Sequence, residues 1–377
     1  MSQQNRLAFL DALRGLAAVY VVLFHVMAMP IPALATGPVL GAVLAMGGTG
    51  VALFFIISAF SLAYTMPRHA RAPRPLLSFY LHRVFRIAPL FFVLLAFSIW
   101  RDGRGSHPGH PLTEILANVT FTFNLFDGWE TGIVWASWAI GVEMLFYAVF
   151  PLLFWIINTP LRAWVAAGLA TLASGLAMSG LLGAAGLDAV TAYGLLRHLP
   201  VFLYGIAAYH LFNAMIAAPA TTARRYCLAA LVTGSVLLVA LVVGSAQALV
   251  GPGAGWVLFG AAYAAVLMGL SRFPVRVVVN RVTTWLGQVS YSLYLGHPIV
   301  VAVLMPVFRR IYAAVPQPDL AWLAWLACAG LTLAIALPLA QLGYRLIEVP
   351  GIRAGHRVLA ALNARCAQPA QGANRSG

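Results

Sequence analysis

Apolar runs long enough to cross a bilayer recur along the whole chain, at roughly 12–29, 44–64, 79–100, 138–157, 163–183, 193–212, 226–248, 255–271, 285–308 and 320–346. A hydrocarbon core about 30 Å thick needs about 20 residues of helix to cross it. The pattern predicts an all-α, polytopic integral membrane bundle of about 10 transmembrane helices over residues 1–350. Residues 351–377 are polar and small, and are expected to form a disordered tail. The longest polar interval, about 101–137, contains "RDGRGSHPGHP" and "NLFDGWETGIVWAS", which are turn-rich and aromatic. A loop that long between packed helices is usually functional.

The first run is interrupted. "LDALRGLAAVYVVLFHV", residues 10–26, carries Asp11 and Arg14 at its start and His25 near its far end. At about 100° and about 1.5 Å per residue, Arg14 and His25 lie within about 20° of each other and about 16 Å apart along the axis. Asp11 falls about 60° from Arg14, so all three point broadly one way. An ionisable group at bilayer depth costs about 2.5–3.5 kcal/mol on insertion scales, so it usually faces a bundle interior or a cavity. The plain alternatives are an Arg that snorkels to the interface and a His bonded to a neighbouring helix.

Composition narrows the classes. The chain is 62% hydrophobic and 8% charged, which excludes a soluble globular domain. Its 23 basic residues are all Arg; without Lys there is neither a Walker A phosphate loop nor a Schiff-base amine. The net charge of +14 lies in loops and tail, where lipid headgroups and orientation signals account for it without nucleic acid. With the N-terminus inside, the cytoplasmic segments hold Arg6, Arg68, Arg71, Arg74, Arg162, Arg224, Arg225, Arg272, Arg276, Arg281, Arg353, Arg357, Arg365 and Arg375. The external ones hold only Arg101, Arg104, Arg309 and Arg310, so both termini are expected to be cytoplasmic and the 101–137 loop external. Cys227, Cys328 and Cys366 have no paired spacing, so neither a disulfide framework nor a metal site is expected. "PALA" at 32–35 imitates a signal-cleavage site, but the first run is expected to remain as a helix.

On this topology Glu143, in "WASWAIGVEMLFYAVFPLL", lies about five residues from the outer end of its helix, and His25 about four from the outer end of the first. Their matched depth suggests a pair in which the carboxylate fixes the imidazole tautomer for base catalysis; pairing of Glu143 with an Arg is the alternative. "FYLHRVFRIAPLFF" puts Arg83 and Arg86 one turn apart at the inner end of the third span. With Arg14 they form three guanidiniums suited to phosphates, or else a positive-inside flank. Ser58 in "GTGVALFFIISAFSLAYT" and His297 in "SYSLYLGHP" are read as packing or structural residues as readily as functional ones. There is no G-x-S-x-G, H-E-x-x-H or C-x-x-C motif, which leaves His as the base or nucleophile of an enzyme.

Six segments in order, "FLDALRGLAAVYVVLFHV", "GVALFFIISAFSLAYT", "FYLHRVFRIAPLFF", "WASWAIGVEMLFYAVFPLL", "LGQVSYSLYLGHP" and "YRLIEVPGIR", resemble membrane-bound acyltransferase family 3, the bacterial O-acyltransferases of surface and exported glycans. The resemblance covers residues 6 to about 353. Ala59 stands where many members have Gly, and one acidic residue, Glu143, stands in the tryptophan motif where many have two. The resemblance implies an integral enzyme of the bacterial inner membrane with His25 catalytic and Glu143 its partner. Arg14, Arg83, Arg86 and Ser58 would hold the donor, acetyl-CoA or another acyl-CoA, as a co-substrate and not a permanently bound cofactor. The acceptor would be a lipid-linked or exported glycan, entering where Trp129 and Trp135 can stack on sugars. His25 either deprotonates the acceptor hydroxyl or carries the acyl group itself. Asp11 and His297 are structural or functional. A transporter with an Arg/His/Glu pathway is the alternative; its mark would be inverted repeats with paired broken helices, which the sequence does not show.

Overall fold

The computed structural model describes residues 7–105, 109–177, 193–246, 252–315 and 317–367. Among these residues the regular structure is helical, with no strand. The helices are α1 (Ala8–Ala28), α2 (Pro38–Ala45), α3 (Gly50–Ala70), α4 (Pro75–Asp102), α5 (Leu112–Val119), α6 (Trp138–Ile156) and α7 (Pro160–Leu176). They continue as α8 (Leu195–Ala217), α9 (Ala220–Ala246), α10 (Pro252–Arg272), α11 (Arg281–Ala314), α12 (Ala321–Gly343) and α13 (Val349–Ala367). A 3₁₀ turn, Met46–Thr49, joins α2 to α3, and a π-helical turn, Tyr344–Glu348, joins α12 to α13.

Nine helical stretches among the described residues are long and apolar enough to cross a membrane, and the protein is a multi-pass membrane protein. The difference from the expected ten lies at the 163–183 run. Its first part forms the 17-residue α7, and residues 178–183 lie outside the described residues. The tail also departs from expectation, because residues 349–367 form α13. Gly351 and Gly355 let it lie against α4: a Cβ on Gly351 would sit 2.7 Å from the Pro89 ring, and one on Gly355 2.7 Å from the Phe85 Cβ. Residues 368–377 lie outside the described residues.

Two packing arrangements position the site. The first is the crossing of α1 and α11, the most extensive helix pair in the bundle. Gly15 and Gly287 face each other there. A Cβ on Gly15 would lie 2.7 Å from the Gly287 nitrogen, and one on Gly287 would collide with the Asp11 backbone. Small residues allow this backbone-to-backbone approach. His25 is ten residues beyond Gly15 and His297 ten beyond Gly287. The two helices run the same way, so equal offsets bring both imidazoles to one level about 15 Å along.

The second is an aromatic wedge. Phe202 of α8 stacks on Phe55 of α3 at 4.4 Å and on Phe146 of α6 at 4.0 Å between centroids. Ser58 is one turn after Phe55 and Glu143 one turn before Phe146, so the wedge sets these two polar residues opposite each other.

The expected long loop is itself folded. The Asn118 side chain accepts from the Ile133 N–H at 3.0 Å, and Asn124 Nδ2 donates to the carbonyls of Glu130 and Trp138 at 2.9 and 3.1 Å. His110 bridges Asp102 (3.1 Å) and Glu114 (2.9 Å), tying α5 to the end of α4. Burial pushes the His110 pKa down, but its bonds to the two carboxylates outweigh that and hold it above the ordinary imidazole value.

Candidate active site

Arg14, Arg83, Arg86, Ser58 and Glu143 all line one pocket of about 750 Å³, together with Ser61, Tyr147, Ser290, Tyr291, Tyr294 and the aromatic rings of Phe54 and Phe55. Four elements meet here: α1, α3, α4 and α6, with α11 closing the side. Tyr80 of α4 donates to the Ala148 carbonyl of α6 at 2.9 Å, and Tyr291 of α11 to the Ile87 carbonyl of α4 at 2.8 Å. These bonds pin the arginine-bearing helix to both neighbours.

Each guanidinium is held from behind. Arg14 Nη1 is 3.8 Å from Asp11 Oδ1, and Arg86 Nη1 is 3.9 Å from Glu348 Oε2. Both separations exceed the 2.7–2.9 Å of a tight charged hydrogen bond, and a guanidinium has five N–H donors. The carboxylates therefore balance charge without using up the donors. Glu348 is fully buried and fixed in turn by Ser292, whose backbone N–H and hydroxyl donate to Oε1 at 3.1 and 2.5 Å. Arg83 lies over the rings of Phe79 and Tyr147, 5.9 Å from each centroid, and its buried Nε has no hydrogen-bond partner among the described residues. A buried guanidinium N–H without an acceptor, in the wall of a cavity, favours an anionic occupant.

Glu143 does not meet His25. Its Oε1 accepts from the hydroxyls of both Ser58 and Tyr147, which are 3.0 Å from each other. His25 meets His297: its Nδ1 is 3.0 Å from the His297 Nε2 and 3.0 Å from the Val21 carbonyl oxygen. The expected His25–Glu143 pair is thus replaced by two separate groups. Matched depth fixes only one coordinate. The azimuth is set by the Gly15–Gly287 crossing, which turns the His25 face of α1 toward α11. The two groups are nevertheless neighbours. Tyr294 lines the pocket, and its ring centroid is 6.0 Å from that of His297. The Tyr294 hydroxyl donates to the carbonyl of Ala136 at 2.9 Å. Ala136 has a left-handed backbone (φ 62°), a conformation costing a non-glycine residue roughly 1–2 kcal/mol. The chain entering α6 is thus strained while its carbonyl holds Tyr294.

The two tryptophans expected on the acceptor side differ. Trp135 is 40% exposed with the Arg101 guanidinium 4.4 Å over its ring, whereas Trp129 is partly buried and packs on Phe126 at 5.4 Å. Among the described residues no group of three or more His, Cys, Asp or Glu is placed to hold a metal.

Sequence reasoning passed over Tyr147, Tyr291, Tyr294 and Glu348. Two of them left a signal. Tyr147 follows Glu143 by four residues, on the same helical face. Glu348 is the one carboxylate in "YRLIEVPGIR", at the end of the last long apolar run.

No curated protein and no solved structure matches the chain. A family model does, described as an acyltransferase domain and covering residues 7–341, which takes in every residue of the pocket and both imidazoles. A multi-pass helical bundle with these residues inside it, matched over nearly its whole length, belongs to the family 3 membrane acyltransferases.

Proposed function

We propose that the protein transfers an acyl group, acetyl in the simplest case, from cytoplasmic acyl-CoA to a hydroxyl of a lipid-linked or exported glycan at the bacterial inner membrane. Both termini would be cytoplasmic, as the arginine distribution indicates. The observation that carries the reading is the adjacency of a three-arginine pocket to an imidazole pair across Tyr294. The phosphates of the donor suit Arg14, Arg83 and Arg86, whose planar guanidiniums bind phosphate oxygens two at a time. Ser58, Tyr147 and Glu143 form the polar floor against which the acyl-bearing arm lies. The thioester then comes to the Tyr294 side of the pocket, within reach of His25.

His25 acts as general base. Its Nε2 takes the proton of the acceptor hydroxyl while that oxygen forms a C–O bond to the thioester carbonyl. The C–S bond breaks, and the proton passes from His25 to the departing thiolate, giving ester and free CoA thiol. The hydrogen bonds on Nδ1 leave the Nε2 lone pair available for this step. The deciding experiment incubates the purified protein with acetyl-CoA and a glycan acceptor and follows release of free thiol. Thiol release by wild type and its loss in His25→Ala are expected. Undiminished release by His25→Ala would overturn the reading.

A further inference from the structure

The hydrogen-bond roles of the two imidazoles follow from the carbonyls around them. A carbonyl oxygen only accepts. His297 Nδ1 lies 3.2 Å from the Leu293 carbonyl, so that nitrogen carries the proton and a neutral His297 offers only a lone pair at Nε2. His25 Nδ1 lies 3.0 Å from the Val21 carbonyl, so it also carries its proton. The one proton on His25 Nδ1 is therefore shared between the Val21 carbonyl and His297 Nε2, each 3.0 Å away. The remaining nitrogen of His25, Nε2, is left as the unprotonated one. The sequence supports this locally. Pro298 has no N–H, so the Tyr294 carbonyl four residues earlier lacks its helical donor, and it too adjoins the His297 ring. His297 is fully buried, which leaves its Nε2 facing His25 rather than solvent.

We propose that His297 is the positioning residue of the reaction: it accepts the Nδ1–H of His25 beside the Val21 carbonyl, fixes the rotation of that ring, and thereby presents the Nε2 lone pair to the acceptor hydroxyl. The proposal rests on the acyl-transfer reading above and adds the group that orients its base. His297 does the work for which a carboxylate was expected from the sequence, and does it without a charge. A neutral imidazole at bilayer depth avoids the desolvation cost of a buried carboxylate. When His25 Nε2 receives the hydroxyl proton, the imidazolium so formed donates from Nδ1 to His297 Nε2 in a charge-assisted bond. When the proton leaves with the thiolate, both rings return to their starting forms. Positive charge is thus present at this level only during turnover.

A merely structural His297 would act through its volume, and an orienting one through the reach of its acceptor atom. Glutamine places its amide oxygen near the position of the imidazole Nε2, while asparagine stops one bond short. His297→Leu, His297→Gln and His297→Asn are compared for kcat at saturating acetyl-CoA, for acetyl-CoA KM, and for the His25 tautomer by ¹⁵N resonance. His297→Leu and His297→Asn should lower kcat by about 100-fold, within the range that acid–base catalysis supplies. His297→Gln should stay within about 10-fold of wild type. Donor KM should be unchanged in all three, and the Nδ1–H form of His25, which the Val21 carbonyl still accepts, should persist in all three, with its Nδ1 ¹⁵N resonance near the wild-type position in His297→Gln and shifted in His297→Leu and His297→Asn. Wild-type kcat in His297→Leu, or equal losses in His297→Gln and His297→Asn, would overturn the proposal. So would failure of all three variants to fold, which marks a packing residue; if only His297→Leu fails, the Gln–Asn comparison decides. His25→Ala is run beside them. Transfer surviving there would refute the acyl-transfer mechanism itself, whereas transfer lost there and kept in His297→Leu would refute only the role of His297.

Discussion

At the start of α1, Arg14 carries a charge and stands 3.8 Å from the carboxylate of Asp11; eleven residues on, His25 meets the Val21 carbonyl and one imidazole nitrogen of His297. The same contrast separates the groups that flank them. Around Arg14 the pocket collects Arg83, Arg86, Glu143 and, behind, Glu348, so charge is set against charge. Around His25 the partners are Val21, His297 and the aromatic ring of Phe24, and Tyr294 lies against His297. Burying permanent charges is tolerable only where opposite charges and hydrogen bonds accompany them. A group that must gain and lose a proton is better served by surroundings that bind it in both states. The difference assigns holding to one end of the helix and proton transfer to the other.

That division can be broken most severely at the imidazole end. His25→Ala should cut acyl transfer to glycan by about 10²–10⁴-fold or more, while acetyl-CoA affinity stays at the wild-type value. Transfer in membranes at matched expression, with donor binding on the same material, checks it. At the other end the expected loss is of binding. Arg83→Ala should raise donor KM by about 10- to 100-fold with kcat largely kept, because a hydrogen bond to a charged group is worth about 1.5–3 kcal/mol. Arg83→Lys should recover little, since a single ammonium does not reproduce a planar fork.

Glu143→Gln sharpens the comparison further. It leaves the imidazole pair untouched and should cost about 10-fold or less, seen mainly in donor KM, because the amide oxygen can still accept from both Ser58 and Tyr147 and only the negative charge is lost. Combined with His297→Gln, its effect should multiply, as expected for groups without shared partners. A double variant no worse than one single would tie the two groups into one catalytic unit. The smallest effect lies at the segment between α4 and α6. His110 has a raised pKa in the folded protein, so its bonds to Asp102 and Glu114 contribute fully below the unfolded imidazole value of about 6.5 and are lost as pH rises through the folded one. Hydrogen-exchange protection factors of α5 should be higher at about pH 6 than at about pH 9, and His110→Asn should remove the difference.

Much of the arrangement is written along single helices, and those parts are legible in the sequence. Apolar length marks nine of the spans, and helical phase puts Arg14 and His25 on one face of α1. The i, i+3 spacing of Arg83 and Arg86 puts them on one face of α4, and the structure places all three arginines in one pocket. What the sequence does not show is how each helix is rotated against its neighbours. Glu143 and His25 share a depth, yet the close approach of Gly15 and Gly287 turns His25 toward α11 and the Phe55–Phe202–Phe146 wedge turns Glu143 toward Ser58. His297, 272 residues away in the chain, becomes the partner because its offset from Gly287 equals that of His25 from Gly15. The helicity of 349–367 escaped notice for a similar reason: Gly351 and Gly355 read as tail residues until Phe85 and Pro89 of α4 are set beside them.

The assignment of binding to the arginine pocket and chemistry to the imidazole pair is tested most directly by measuring acetyl-CoA affinity and single-turnover acyl transfer at saturating donor on His25→Ala and Arg83→Ala in parallel. The account predicts opposite defects: His25→Ala binds the donor like wild type and does not transfer, whereas Arg83→Ala binds weakly and transfers once the donor saturates. Affinity and transfer falling together in both variants would contradict it.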